Sequence, residues 1–123
     1  MKKLFLVCLM MLAGSAWAKW VMFSKDEEAT HYFDPATIRK EENMRRVWQL
    51  TDIRKRRIDG TMSHRVRYEY DCKRERFRYL GISSHPEPMA GGKPLIVDGE
   101  DNDWFPIAPG TIAEVMLKIV CSK

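Results

Sequence analysis

The chain has 123 residues and a formal net charge of +4 at pH 7, from 21 basic and 17 acidic side chains. This length fits one domain rather than two. Without the two lysines at positions 2 and 3, the net charge is 21 − 2 − 17 = +2, and so nearly balanced a charge does not demand a nucleic acid as partner. There is no internal repeat and no low-complexity segment.

The N-terminal segment has the three parts of a bacterial secretory signal peptide. Two lysines follow the first methionine, residues 4–12 are an uninterrupted apolar run, and Ala16 and Ala18 stand at the −3 and −1 positions of a cleavage site. The run is shorter than the about 20 residues that a membrane-spanning helix needs, although an uncleaved anchor or a buried strand is the alternative. We expect residues 1–18 to be a signal peptide and residues 19–123 to be a single exported domain.

Ser15 bears on where the exported domain is held. A bacterial lipoprotein would carry its lipid-attachment cysteine after Leu12-Ala13-Gly14, but a serine stands there and cannot be thioacylated. Cys8 lies inside the apolar run without the right residues before it. We therefore predict no lipid anchor, and a periplasmic, outer-membrane surface or secreted location.

Cleavage would leave two cysteines, Cys72 and Cys121. An even pair in an exported chain predicts a disulfide, and closing a loop of about 50 residues stabilises a fold by about 4 kcal/mol in the chain-entropy model. The alternatives are two free thiols or a metal site. A metal would need further ligands from distant histidines, because no CxxC pair is present.

The first half of the domain consists of short predicted strands and turns. Asp34-Pro35 begins a turn or short helical turn, since proline favours the first position of either. Asp59-Gly60 predicts a hairpin tip or its flank. The strands predicted in this half are residues 20–23, 30–33 and 45–52.

Residues 63–72 alternate more cleanly than any other segment, which predicts a strand. Its apolar face is Val66, Tyr68, Tyr70 and Cys72, and its polar face is Arg65, Arg67, Glu69 and Asp71. A strand is also predicted at 76–83, where either a bulge near Gly81 or burial of both faces would explain the pattern. A long connection follows at 85–103, then an edge strand at 104–107.

The C-terminal segment predicts an amphipathic helix. Thr111 is an N-cap and Glu114 completes a capping box. The predicted apolar stripe is Ile112, Val115, Met116, Ile119 and Val120. Such a helix must pack on something, and the aromatic sheet face is the available partner, so Cys121 would pin the helix to the strand that carries Cys72. The fold class predicted is α+β.

No catalytic, metal or cofactor site is predicted. His31, His64 and His85 are scattered, without metal-ligand spacing. Ser63-His64 and Ser84-His85 are neighbours in sequence, but adjacent strand residues point to opposite faces. The acidic run at 98–103 lacks the pattern of a calcium-binding EF-hand loop, and Gly91-Gly92-Lys93 is not a phosphate-binding loop.

The candidate ligand-binding residues are basic. Arg54, Lys55, Arg56 and Arg57 are compact enough to bind a polyanion, and Arg65 and Arg67, with Arg45 and Arg46, could extend the cluster along neighbouring strands. The alternative is a solvated hairpin whose cations protect an exposed edge from aggregation. The tryptophans Trp20, Trp48 and Trp104 are predicted to be core residues.

An ordered set of residues resembles the surface-adhesin protein E family of Gram-negative bacteria. Tyr70-Asp71-Cys72 and the final Val120-Cys121 carry most of the resemblance. The other matching residues are Trp20, Tyr32-Phe33-Asp34, Ile38, Val47-Trp48-Gln49-Leu50, Arg76, Met89, Gly91-Gly92, Trp104 and Pro109-Gly110-Thr111. The resemblance implies an antiparallel sheet with a C-terminal helix packed on one face and disulfide-linked to it.

The resemblance also implies a non-enzymatic adhesin that binds host matrix or serum proteins such as vitronectin, laminin and plasminogen. Our leading hypothesis is an exported binding module for such proteins or for a polyanionic glycan. The second hypothesis is a periplasmic structural or stress-related protein without a host ligand, which the absence of a lipid-attachment cysteine favours.

Overall fold

The computed structural model describes residues 20–99 and 103–122, and the predicted signal peptide lies outside these residues. The described residues form an eight-stranded antiparallel sheet and one C-terminal α-helix, which confirms the predicted α+β fold. The strands are β1 (Val21–Lys25), β2 (Ala29–Phe33), β3 (Arg39–Glu41), β4 (Met44–Ile53), β5 (Ser63–Asp71), β6 (Arg76–His85), β7 (Ile96–Asp98) and β8 (Phe105–Pro106). The helix α1 is Ile112–Cys121, and two 3-10 helices are Pro35–Thr37 and Pro88–Ala90. No helix among the described residues is both long and apolar enough to cross a membrane.

Three long strands, β4, β5 and β6, build the centre of the sheet, whose order is β1-β2-β4-β5-β6-β7. Of these three strands, β4 and β6 each pair with two short strands on the side turned away from β5. β2 and β3 pair with different parts of β4, and β7 and β8 pair with different parts of β6. Strand β3 was not predicted, because its turn at Glu42-Asn43 has no glycine; in the structure Glu42 itself adopts a positive φ of 53°.

The bulge expected near Gly81 is confirmed. Arg67 pairs with Gly81 and Tyr68 pairs with Tyr79, so Leu80 is the extra residue of β6. The inserted residue exchanges the two faces of β6 at this point. Phe77 and Tyr79 therefore share a face with Ile82 rather than with Gly81 and Ser83.

The core lies between α1 and one face of the sheet. Buried residues from three strands and the helix form it: Phe33, Val47, Tyr70, Met116, Leu117 and Val120. The helix is rotated relative to the predicted stripe. Leu117 is buried, whereas Ile112 and Val115 are 36% and 39% exposed. Periodicity alone gives a broad apolar arc, and packing against the sheet selects which part of that arc is covered.

The predicted N-cap is confirmed, because the Thr111 hydroxyl accepts a hydrogen bond from the Glu114 backbone N–H at 3.3 Å. The Glu114 carboxylate accepts in return from the backbone N–H of Gly110, one residue before the cap, at 3.2 Å. The first bond satisfies a backbone donor that the first turn of a helix leaves without an intrahelical partner. The second differs from the predicted capping box, because Glu114 accepts from the residue before the N-cap and not from the N-cap itself.

The other end of α1 is tied to the sheet in two ways. Cys121 forms a disulfide with Cys72, with 5.8 Å between the two Cα atoms, as the cysteine count predicted. Arg45 is buried on the helix-covered face, and its Nε donates a hydrogen bond to the Val120 carbonyl oxygen at 3.2 Å. A cation at a helix C-terminus stabilises the unpaired carbonyls there. The prediction that Arg45 extends a surface cluster is wrong.

A matched pair of substitutions tests the orientation of α1 on the sheet. Leu117→Ala should lower the free energy of unfolding by about 2–5 kcal/mol, because it opens a cavity in the core. Ile112→Ala should change it by less than about 0.5 kcal/mol, since this side chain is partly solvated. Urea denaturation followed by circular dichroism measures both, and equal losses would contradict the observed orientation of the helix.

Removal of the disulfide should destabilise the fold strongly. The double substitution Cys72→Ala and Cys121→Ala should cost about 2–5 kcal/mol, because the unfolded chain loses a constraint across the sequence separation of 49 residues. Denaturation of the variant beside the oxidised chain measures this loss. Mass spectrometry of the unreduced chain is the control, and two free thiols there would contradict the pairing.

Candidate functional site

The predicted basic cluster lies in the loop between β4 and β5. Arg54, Lys55, Arg56 and Arg57 are all exposed, and we call residues 54–57 the basic loop. The loop begins where the Arg54 backbone N–H bonds the Glu28 carbonyl, and it closes where Gly60 N–H bonds the Arg57 carbonyl at 2.9 Å. Gly60 has a φ of +90°, which explains the glycine in the predicted turn.

One residue of the basic loop, Arg56, stabilises the conformation of the loop through hydrogen bonds. The Nη1 of Arg56 donates to the Gly60 carbonyl at 3.1 Å and to the Pro86 carbonyl at 2.8 Å. Arg56 therefore ties the loop to the segment after β6. The side chains of Arg54, Lys55 and Arg57 instead line a groove of about 710 Å³.

The groove is mixed in charge and has an apolar floor. Its second wall is an acidic turn, residues 26–28, which faces the basic loop. Ala29, Ile53 and the first helical residue, Ile112, contribute apolar surface, and His31 and Thr51 contribute polar atoms. Arg54 attracts the Asp26 carboxylate across the groove, so part of the basic charge is offset inside it.

His31 lies in this groove, where a hydrogen bond joins its ring to Thr51. Its Nδ1 is 3.1 Å from the Thr51 hydroxyl, and its Nε2 is 3.9 Å from an Asp26 carboxylate oxygen. Burial lowers the pKa of His31, and Asp26 raises it only in part. The imidazole is therefore neutral at neutral pH.

Arg65 and Arg67 lie elsewhere. They project from β5 on the sheet face turned away from α1, whereas His31 and Thr51 of the groove lie on the helix-covered face. The structure thus divides the six predicted ligand-binding residues into the basic loop and a separate sheet surface. Their function in binding stays a prediction.

Arg65 and Arg67 belong to a surface that we call the arginine–tryptophan face. It comprises Arg46, Trp48, Arg65, Arg67, Arg76, Arg78 and Trp104, arranged around Glu69. The Arg65 guanidinium carbon lies 4.3 Å from the centre of the Trp48 ring. Those of Arg76 and Arg78 lie 4.3 and 4.5 Å from the centre of the Trp104 ring. Both indoles are half-buried beside guanidinium groups and lie outside the core cluster, so their prediction as core residues is wrong.

Glu69 organises the middle of this face. Its carboxylate is only 2% exposed and accepts hydrogen bonds from Nε of Arg46 and Nε of Arg78, both at 2.8 Å. Burial alone would raise the pKa of Glu69, but the two arginines outweigh it and lower the pKa. Glu69 is therefore a carboxylate that fixes two guanidinium groups in place.

Arg65 and Arg67 were predicted as ligand-binding residues, whereas Arg76 and Arg78 were not, although the sequence carries a signal for them. Alternate residues of β5 and β6 repeat a basic pattern at Arg65 and Arg67 and at Arg76 and Arg78. That spacing places each pair on one side of its strand. The register between strands, which brings the pairs together around Glu69, is a tertiary property.

The two histidines of the Ser63-His64 and Ser84-His85 dipeptides each lie beside a serine other than their sequence neighbour. His64 Nδ1 lies 3.0 Å from the Ser84 hydroxyl, and His85 Nε2 lies 2.8 Å from the Ser83 hydroxyl. Ser84 is buried, so its pair with His64 joins β5 to β6 rather than opening toward a substrate. In residues 20–99 and 103–122, no group of three or more histidine, cysteine or carboxylate side chains is arranged to hold a metal ion.

The chain is similar to known proteins in sequence pattern and in fold. Residues 20–122 match the family model described as surface-adhesin protein E. No curated protein matches the chain. The solved structure of Haemophilus influenzae protein E is similar, with a TM-score of 0.68, 12% identity, and 88% of this chain and 87% of that chain covered.

A second crystal form of the Haemophilus influenzae protein has a TM-score of 0.62 and 12% identity, covering 87% of this chain and 97% of that chain. At such identity the likeness shows the fold alone. It does not transfer the arginine–tryptophan face or the basic loop.

The two half-buried histidines should make the fold less stable in mild acid. Burial lowers the pKa of both His31 and His64, so the unfolded chain binds more protons than the folded chain as the pH falls below about 6.5. The free energy of unfolding should therefore fall between pH 7.5 and 5.5. Because Glu69 and Asp71 have lowered pKa values, their own losses come only below about pH 4.5.

Urea denaturation at the two pH values measures this effect. The double variant His31→Gln and His64→Gln should lose less stability than the parent chain over the same interval. An equal loss in both proteins would contradict the assignment to these histidines.

Proposed function

The chain belongs to the surface-adhesin protein E family, and from this premise we propose that it is an exported, non-enzymatic adhesin that binds a host matrix or serum protein through the basic loop. The observation that carries the proposal is the loop's exposure. Three cations, Arg54, Lys55 and Arg57, line an open groove. Arg56 holds the loop in place through its hydrogen bonds to the Gly60 and Pro86 carbonyls.

The chemistry of the groove favours a protein segment over a uniformly anionic polymer. An anionic polymer would be attracted by the basic loop but repelled by residues 26–28 on the facing wall. A polypeptide segment with acidic, basic and apolar side chains complements both walls and the floor. The fully exposed Ile58, beside the loop, adds an apolar contact of the kind that protein interfaces bury.

The cationic part of the proposal is tested by Arg54→Ser, Lys55→Ser and Arg57→Ser together. Arg56 is kept, because its bonds to Gly60 and Pro86 hold the loop. We expect binding to immobilised vitronectin and laminin, measured by surface plasmon resonance, to weaken by at least about tenfold, since several charge-assisted contacts are lost.

The matched control removes three exposed cations elsewhere: Lys40→Ser, Lys73→Ser and Arg74→Ser. This variant should bind as the parent chain does. Equal weakening in both triple variants would indicate attraction by net charge rather than a site. Failure of the parent chain to bind either protein would reject this ligand class.

A second candidate function is a periplasmic structural or stress-related protein, which Ser15 favours because it supplies no thiol for lipid attachment. Cell fractionation with protease treatment of intact cells separates the two candidates. Protease-accessible chain at the cell surface supports the adhesin. A protected periplasmic pool supports the second candidate.

A further inference from the structure

The arginine–tryptophan face is distinct from the basic loop in position and chemistry. Five of its members are arginines, and among the described residues Glu69 and Asp71 accept hydrogen bonds from three of them. We propose that this face is a second binding site, and that its ligand is an extended sulfated glycan. The proposal does not depend on the protein-binding role of the loop.

The arginines are spaced along the strands at regular levels. Arg65 and Arg67 occupy successive positions on one side of β5, Arg46 and Arg78 flank Glu69 at the next level, and Arg76 pairs with Asp71 at the one after. Same-face positions on a strand are about 6.7 Å apart, so the series extends over about 20 Å. An extended chain that carries repeated anions meets a guanidinium group at every level.

Four of the five guanidinium groups, all but that of Arg67, are already held by neighbouring side chains among the described residues. Arg65 lies against Trp48, Arg76 and Arg78 lie against Trp104, and Glu69 fixes Arg78 from the other side. A flexible arginine loses rotamer freedom when it binds an anion, whereas a fixed one has already lost it. Each guanidinium group carries five N–H donors, which suits bidentate bonds to sulfate oxygens.

Arg67 provides the open position at the centre of the series. Its side chain has no hydrogen bond or ion pair with the rest of the chain described by the structure, and it is half-buried. Its cross-strand neighbour Gly81 has no side chain, and a Cβ atom there would find only the Asp98 carbonyl oxygen within 4 Å, at 3.9 Å. An anion at this point therefore has both a donor and space.

The combination of cations and half-buried indoles favours a glycan over a lipid surface. A sulfated glycan supplies repeated anions for the arginines and sugar C–H surfaces for the accessible parts of Trp48 and Trp104. Binding in a bilayer interface relies on aromatic and aliphatic side chains that reach into the acyl region. Here the indoles lie against guanidinium groups instead.

Heparin is the probe for the test, with the full chain expressed together with its N-terminal segment. The double variant Arg65→Ser and Arg67→Ser should weaken heparin binding by at least about tenfold, because two guanidinium contacts are lost. The matched control, Arg54→Ser and Lys55→Ser, loses the same charge from the basic loop. It should retain heparin affinity within about twofold, since exposed charges at a distance are screened.

Tryptophan fluorescence gives a second readout, because Trp48 and Trp104 lie within the proposed site. At a heparin concentration that half-saturates the parent chain, the emission of the parent chain and of the loop variant should change, and that of the Arg65 and Arg67 variant should change much less. Thermal denaturation checks that each variant is folded. If the double variant does not fold, Arg67→Ser alone is the test, because this side chain has no partner to lose within the described residues.

Four results would overturn the proposal. They are no heparin binding by the parent chain, equal loss in the loop and face variants, unchanged affinity in a folded face variant, and stronger binding to phosphatidylglycerol vesicles or duplex DNA of equal charge than to heparin. Because the vitronectin assay uses the loop variant and this assay uses the face variant, failure of one proposal is distinguishable from failure of the other.

Discussion

In the part of the chain that the structure describes, one ten-residue α-helix covers one face of the sheet. How the side chains on each face are packed or paired depends on this coverage. On the covered face, Val47 and Tyr70 pack against Met116 and Val120 to form the core. No α-helix within residues 20–99 and 103–122 covers the opposite face, so its polar groups are satisfied by water, by a loop or by one another. The turn at Pro88–Ala90 closes one end of it, through hydrogen bonds to Asp52 and Ser63.

Glu69 is the residue on which the remainder of that face depends. A buried carboxylate without partners would be expensive, and two arginines make it tolerable by donating directly to its oxygens. The same bonds limit the freedom of Arg46 and Arg78. The bonds that neutralise the buried Glu69 carboxylate therefore also fix the cationic side chains at the surface. The Trp104 ring, which stacks on Arg78, adds to this fixed arrangement.

The molecule thus presents two surfaces with different chemistry. The groove beside the basic loop combines both signs of charge with apolar side chains, whereas the arginine–tryptophan face combines ordered guanidinium groups with indoles. The likeness to Haemophilus influenzae protein E at 12% identity reflects shared architecture, because an antiparallel sheet and a packed helix tolerate extensive exchange of side chains. Ligand surfaces depend on particular side chains, and they do not follow from the fold.

The sequence by itself determined the local elements of this protein. Alternation of polar and apolar residues predicted β5, and the N-cap pattern at Thr111 predicted the start of α1, because both are patterns of near neighbours. The cysteine count predicted the disulfide, because it is a property of the whole chain. Only the tertiary structure decided which side of the helix faces the sheet and the hydrogen bond from Arg45 to the C-terminal turn of the helix. It also decided the division of the basic residues between two surfaces, because strand register and the bulge at Leu80 set which distant side chains meet.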